Sequence, residues 1–158
     1  MQGSGGATPV AADDAFCALY EREHGAQVRR AALLVGCVET AHDLVHDAFV
    51  EVYRRWATLD DPGPYLNRAV VNRCRDQARR RLTRERYQWV LQERSASPED
   101  ASLLDAIGGL PFHQRAVVVL RFYLQCSDRD IAELLGCRPG SIGPWRRRAL
   151  DRLRRELA

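Results

Sequence analysis

The chain is predicted to be all-α, built as two small helical domains joined by a short linker. Apolar residues recur at helical spacing almost throughout. No segment alternates apolar and polar residues as a strand would. One polar stretch, residues 92–100, interrupts the periodicity and carries Ser and Pro. Each half is small, so each must close a core with its own apolar stripes.

Residues 1–12 read as a flexible tail. They carry no basic segment and no long apolar run, which excludes a secretory signal. No run approaches the ~20 apolar residues that span a bilayer, so no membrane insertion and a cytoplasmic location are expected. Residues 13–36 predict one helix or two short ones, with Phe16, Leu19, Tyr20, Val28, Ala31, Ala32 and Val35 inward. Over 40–57 the stripe is continuous: Ala41, Leu44, Val45, Ala48, Phe49, Val52, Tyr53 and Trp56. Leu59-Asp-Asp-Pro-Gly-Pro64 ends that helix. From Tyr65 to about Val90 a long, arginine-rich helix follows, with Leu66, Ala69, Val70, Cys74 and Ala78 inward. The first domain is therefore 13–92 and the linker 93–100. The second domain, 101–157, reads as helices over 101–108, 112–124, 128–135 and about 139–156.

All 24 basic side chains are Arg, and they alternate with acids in blocks. Residues 13–61 hold 5 Arg against 10 Asp and Glu, and residues 62–94 hold 9 against 3. Residues 95–137 hold 3 against 6, and residues 138–158 hold 7 against 2. Charge runs are usually solvated faces. Two acidic-then-basic units in one small chain instead favour two nucleic-acid contacts. The five Cys are widely spaced, with no C-x-x-C, which argues against a disulfide framework or a ribbon-type zinc site.

Ser127 to Arg155 reads as a helix–turn–helix. Ala132 is small where the helices cross, Gly136 suits a turn needing positive φ, and Ile142 packs back on the first helix. Gly143-Pro144 fits less easily. If the second helix began at Pro139, Pro144 would cost a hydrogen bond to Gly140, ~3 kcal/mol. With Ser141 as N-cap, Pro144 is the third helical residue, whose N–H is unpaired anyway. The helix is therefore predicted to start at about Ile142 or to be kinked. Trp145 then packs inward and Arg146, Arg147 and Arg148 reach DNA.

Two further surfaces carry candidate chemistry. Asp43, Asp47 and Glu51 are spaced four apart on the outer face of the 40–57 helix. His42 and His46 in the same segment stand like the histidines of a helical zinc motif. Asp43 replaces the Glu base of that motif and no third ligand follows, so no metal site is expected. On the next helix Asn67, Arg68, Asn72, Arg73, Asp76, Arg79, Arg80, Arg81 and Arg84 form a polar, cationic surface. Such a surface suits an unstacked base and a single-stranded backbone. Asp76 could equally pair with Arg73 or Arg80 along the helix. Trp56 and Tyr65 flank the intervening loop and read as core more than as stacking platforms.

Four motifs in order resemble bacterial RNA polymerase sigma factors of the extracytoplasmic-function (ECF) type. They are Phe16-x-x-Leu-Tyr with Ala41-His-Asp-Leu-Val-His-Asp-Ala-Phe-Val50, Asp61-Pro-Gly-Pro-Tyr-Leu through Asp76, Leu110-Pro-x-x-Gln-Arg115 through Arg121, and the helix–turn–helix. The resemblance covers nearly all of 16–157. It implies a factor with no active site and no cofactor, which binds core polymerase and directs promoter-specific initiation. It implies that Asp43, His46, Asp47, Val50 and Glu51 dock on polymerase. The polar helix around Asn72 would read and melt the −10 element. Arg138, Ser141 and Arg146 to Arg148 would read the −35 element. The linker would thread polymerase near the RNA path. The family's basic and small polar residues are missing at Gly143-Pro144. An anti-sigma partner is expected. The alternative is a helix–turn–helix regulator that keeps the fold but no longer initiates.

Overall fold

A computed structural model of the chain describes residues 9–80 and 97–158. Helix α1 runs Pro9–Val35. Proline suits a first helical turn because its missing N–H would have no partner there. Residues 9–12, expected in the tail, are therefore helical, and 1–8 lie outside the described residues. Gly36, at φ 79°, ends the helix, and its N–H donates to the Ala32 carbonyl at 2.7 Å.

Helix α2, Val38–Arg55, packs against α1 through the predicted stripe. Ala31, Ala32, Ala41 and Ala48 are fully buried, so the two backbones approach closely. Phe16 of α1 meets Phe49, Tyr53 and Trp56 edge-on, with centroids 5.0–6.2 Å apart. Tyr53 is half exposed, contrary to its place in the stripe, and its hydroxyl donates to Asp13. A 3-10 turn, Trp56–Thr58, leads to helix α3, Pro62–Arg80. α3 starts three residues before Tyr65, because Pro62 and Pro64 fall in a first turn that asks for no N–H donors. Its expected continuation to Val90, with Arg81, Arg84 and linker residues 93–96, lies outside the described residues.

Helix α4 is Pro98–Gly108. Ser97 and Asp100 form a reciprocal capping box, so 98–100 are a first helical turn and not linker. Helix α5, Phe112–Val118, widens into a π turn over Val119–Tyr123. That turn ends at Tyr123, and Gln125, two residues on, takes φ 55°. The expected helix over 112–124 is thus a seven-residue α-helix and a π segment. Helix α6, Asp128–Leu135, has the predicted bounds and a second capping box, Ser127 with Asp130. Gly136, at φ 64°, makes the turn. A 3-10 turn, Pro139–Ser141, then enters helix α7, Ile142–Leu157. No strand occurs among the described residues.

The core departs from the expectation of one per half. A single buried cluster takes Leu34, Val70, Val71 and Cys74 from the first half with Val117, Leu120, Ile131 and Leu135 from the second. A smaller cluster, Ala106, Leu110, Val118, Ala149 and Leu153, belongs to the second half alone. α3 packs on α6, and α1 on α5 and the π turn. Two arginines tie this joint to helix C-termini, where carbonyls lack intrahelical donors. Arg75 of α3 donates to the Leu135 carbonyl at 2.9 Å. Arg115 of α5 donates to Leu34 at 2.7 Å, Gly108 at 3.1 Å and Leu110 at 3.0 Å.

Candidate nucleic-acid interface

On α2 the periodicity that buries Val45, Phe49 and Val52 turns Asp43, His46 and Asp47 outward, and all three are exposed. Val50 is half buried beside them. Glu51 is different. A step of four residues advances around a helix by more than one turn, so the row drifts and Glu51 faces α3. It accepts from the Tyr65 hydroxyl at 2.5 Å and from Arg73 at 2.6 Å. The Tyr65 bond, with Arg73 beside it, holds the Glu51 carboxyl below its ordinary range, although partial burial works the other way. The same bond pushes the Tyr65 phenol up. Glu51 thus belongs to the α3 site and not to the outward acid row.

His42 lies on the exposed side of α2, its ring 5.8 Å from His24 of α1. Burial first, and His42 second, lower the His24 imidazole below its ordinary value. Among the described residues, no group of three or more His, Cys, Asp or Glu could hold a metal ion.

α3 places Arg68, Asn72, Arg73 and Asp76 around a cavity of about 260 Å³, walled also by Glu51, Tyr65 and Ala69. Tyr65 is therefore part of this wall, while Trp56 is half buried against Phe16. The cavity offers carboxylate acceptors, an amide and guanidinium donors, the groups that read the edge of a planar base. Asp76 and Arg79 are exposed. Arg73 pairs with Glu51, so of the two helical pairings considered for Asp76 the one with Arg73 gives way to a tertiary one, and the one with Arg80 lies outside the described residues. Asn67 is not part of this surface. Its Oδ1 accepts from Gln27 at 2.6 Å and Arg30 at 2.7 Å, joining α3 to α1. Arg68 lies 3.9 Å from Glu133 of α6, a long and exposed pair. Arg80 ends α3, and its side chain, with Arg81 and Arg84, lies outside the described residues.

Three residues outside the sequence-predicted sites complete this framework: Gln27, Arg75 and Arg115. Gln27 is fully buried among apolar neighbours on α1. A polar residue one step from Val28 and four from Ala31 was the available signal. Arg75 and Arg115 act through partners 60 and 81 residues away, which local spacing does not reveal.

In the helix–turn–helix, α7 begins at Ile142, as predicted, with Pro144 third. Ser141 has helical dihedrals, φ −77° and ψ −24°, and makes no side-chain cap bond. The preceding 3-10 turn does the capping, with the Ile142 N–H donating to Pro139. Trp145 turns inward, 4.8 Å from the His113 ring. Burial first, then Arg75 and Arg79, lower the His113 imidazole. Arg138, Arg147 and Arg148 are exposed and Ser141 half buried. Arg146 donates to Asp128 in the first turn of α6 at 2.5 Å, so it braces the two helices and departs from its expected place among the outward arginines.

Residues 19–84 match the family model "Sigma-70 region 2", and residues 100–153 match "Sigma-70, region 4". The chain is 35% identical over 144 residues to the RNA polymerase sigma-E factor of Streptomyces coelicolor, covering 84% of this chain and 80% of that one. It is 32% identical over 151 residues to the ECF RNA polymerase sigma factor SigM of Mycobacterium tuberculosis, covering 90% and 77%. Among solved structures, CnrH in complex with the cytosolic domain of CnrY superposes with TM-score 0.69 at 26% identity, over 92% of this chain and 88% of that one. RpoE of Bartonella quintana, solved with the anti-sigma factor NepR, superposes with TM-score 0.71. At 20% identity, over 91% of this chain and 97% of that one, it bears on fold alone.

Proposed function

The chain belongs to the ECF group of RNA polymerase sigma factors, and from that premise we propose how its surfaces divide the work of promoter-specific initiation. The half from α1 through α3 acts as domain two, and α4 through α7, Pro98–Leu157, as domain four. The exposed Asp43, His46 and Asp47, with Val50 beside them, dock on core polymerase. The α3 cavity around Asn72 receives an unpaired −10 base. The outward side of α7 reads the −35 element. The factor works by binding alone, in the cytoplasm, and an anti-sigma protein holds it inactive. Among the described residues, no helix is long and apolar enough to cross a membrane.

The observation that carries this reading is the order of two matched regions in one chain, with an exposed acidic helix face in the first and an exposed arginine face in the second. Arg68, which lines the cavity, and Arg75 both reach α6 in this structure. The test is promoter-dependent transcription with purified core polymerase. Wild type should co-purify with core and initiate from a defined start. The double reversal Asp43→Arg with Asp47→Arg should weaken core binding at least tenfold while leaving the helical content unchanged. A wild-type protein that binds DNA but never core would defeat the reading.

A further inference from the structure

Glu51 parts company with the other two acids of its row. Asp43 and Asp47 are exposed, whereas the Glu51 and Arg73 side chains are each only about a third exposed and pair with one another. Both carboxylate oxygens are engaged. Oε1 accepts from the Tyr65 hydroxyl at 2.5 Å and Oε2 from Arg73 Nη2 at 2.6 Å. Tyr65 and Arg73 stand eight residues apart on α3, about 12 Å of helix rise. They reach one carboxylate because a long helical side chain leans toward the helix N-terminus, and because Ala69, midway between them, is too small to keep them apart. Ala69, Tyr65 and Arg73 all line the cavity. Arg55, one turn beyond Glu51 on α2, adds a second hold. Its guanidinium carbon lies 5.8 Å from the Tyr65 ring centroid, within cation–π reach.

An arginine beside a cavity has many rotamers open to it unless something fixes it, and a ligand that must order such a wall on arrival binds more weakly than one that meets it in place. Glu51 does this ordering in advance from a different helix. The isosteric amide cannot. A glutamine side chain offers one acceptor oxygen and one NH2 donor. It can accept at one of the two positions, but turns a donor toward the donor at the other. Arg68, Asn72 and Asp76 are the cavity's remaining polar walls.

We propose that Glu51 is a positioning residue of the −10 site: acting through Tyr65 and Arg73, it fixes the cavity walls in the arrangement that accepts one unpaired base, and it takes no part in docking on core polymerase. The inference rests on the reading of this cavity as the −10 base site and adds the residue that shapes it.

The test selects a randomised single-stranded DNA pool on immobilised holoenzyme, assembled from core polymerase and the full chain, and counts the bases retained. Wild type should enrich a short motif with one position read most strictly. Glu51→Gln should flatten the preference at that position about threefold to tenfold while its affinity for core stays at the wild-type value. Arg73→Met should flatten the same position, and the double variant should lose no more than either alone, because both act along one route. A preference left intact in Glu51→Gln overturns the inference. So does a weakened hold on core, which would return Glu51 to the docking row, and so do losses that multiply in the double variant, which would mark a general loosening of the fold. Wild-type holoenzyme that forms but enriches no motif would instead overturn the reading of the cavity as a base site.

Discussion

Replacing Arg115 should loosen the whole molecule, because its guanidinium holds three chain segments. It donates to the Leu34 carbonyl at the end of α1 and to the Gly108 and Leu110 carbonyls around the end of α4. The Leu34 bond crosses the joint between the halves. Hydrogen bonds to a charged group are each worth about 1.5–3 kcal/mol, and acceptors left buried cost more than the bond returned. Bonds sharing one guanidinium are not additive, so about 3 kcal/mol is expected for Arg115→Met, which keeps much of the stem packing. In a domain of this size that is about 6–12 °C in melting temperature. Thermal and urea unfolding of the full chain would measure it. Arg115→Lys should recover only part, because an ammonium cannot span three carbonyls set around a planar fork. A melting temperature within about 2 °C of wild type for Arg115→Met would refute the argument that these bonds hold the joint.

Other outcomes follow from local geometry. Gly136→Ala should cost about 1–2 kcal/mol from its positive φ alone, with Gly136→Asn milder, read by thermal melts. The nearest atom to a Cβ there, Arg75 Nη1 at 3.8 Å, is an ordinary contact, so crowding adds nothing. Burial pushes the Cys74 thiol up to about 12, whereas Cys17 is exposed. Iodoacetamide at pH 8 should label Cys17 in the native protein and reach Cys74 only after unfolding, as peptide mass mapping would show. The Glu51 carboxyl is held below its ordinary 4.5 by Tyr65 and Arg73. Its contribution is therefore present above 4.5 and lost as pH falls through the lowered native value. Urea midpoints from pH 6 to pH 3 should fall less steeply for Glu51→Gln than for wild type. An identical slope would remove Glu51 from the acid response.

Local sequence was enough wherever the deciding interaction lies within a few residues. The α2 stripe, the bounds of α6, the Gly136 turn and the start of α7 at Ile142 all follow from periodicity, capping and the missing proline N–H. Ser97-Pro98-Glu99-Asp100 has the composition of a linker and the spacing of a capping box.

The chain by itself determined an all-α protein with an acidic helix face, an arginine-rich helix and a helix–turn–helix, because each is a pattern of nearest neighbours along one helix. Tertiary structure alone decided which of those polar groups remain available. Asn67 is taken by Gln27 and Arg30, Glu51 by Tyr65 and Arg73, and Arg146 by Asp128. It also joined residues of both halves in one shared cluster, beside a smaller one of the second half alone. The physical reason is the same in each case. A polar group's partner is chosen by proximity in space, and these partners stand 14 to 40 residues apart along the chain.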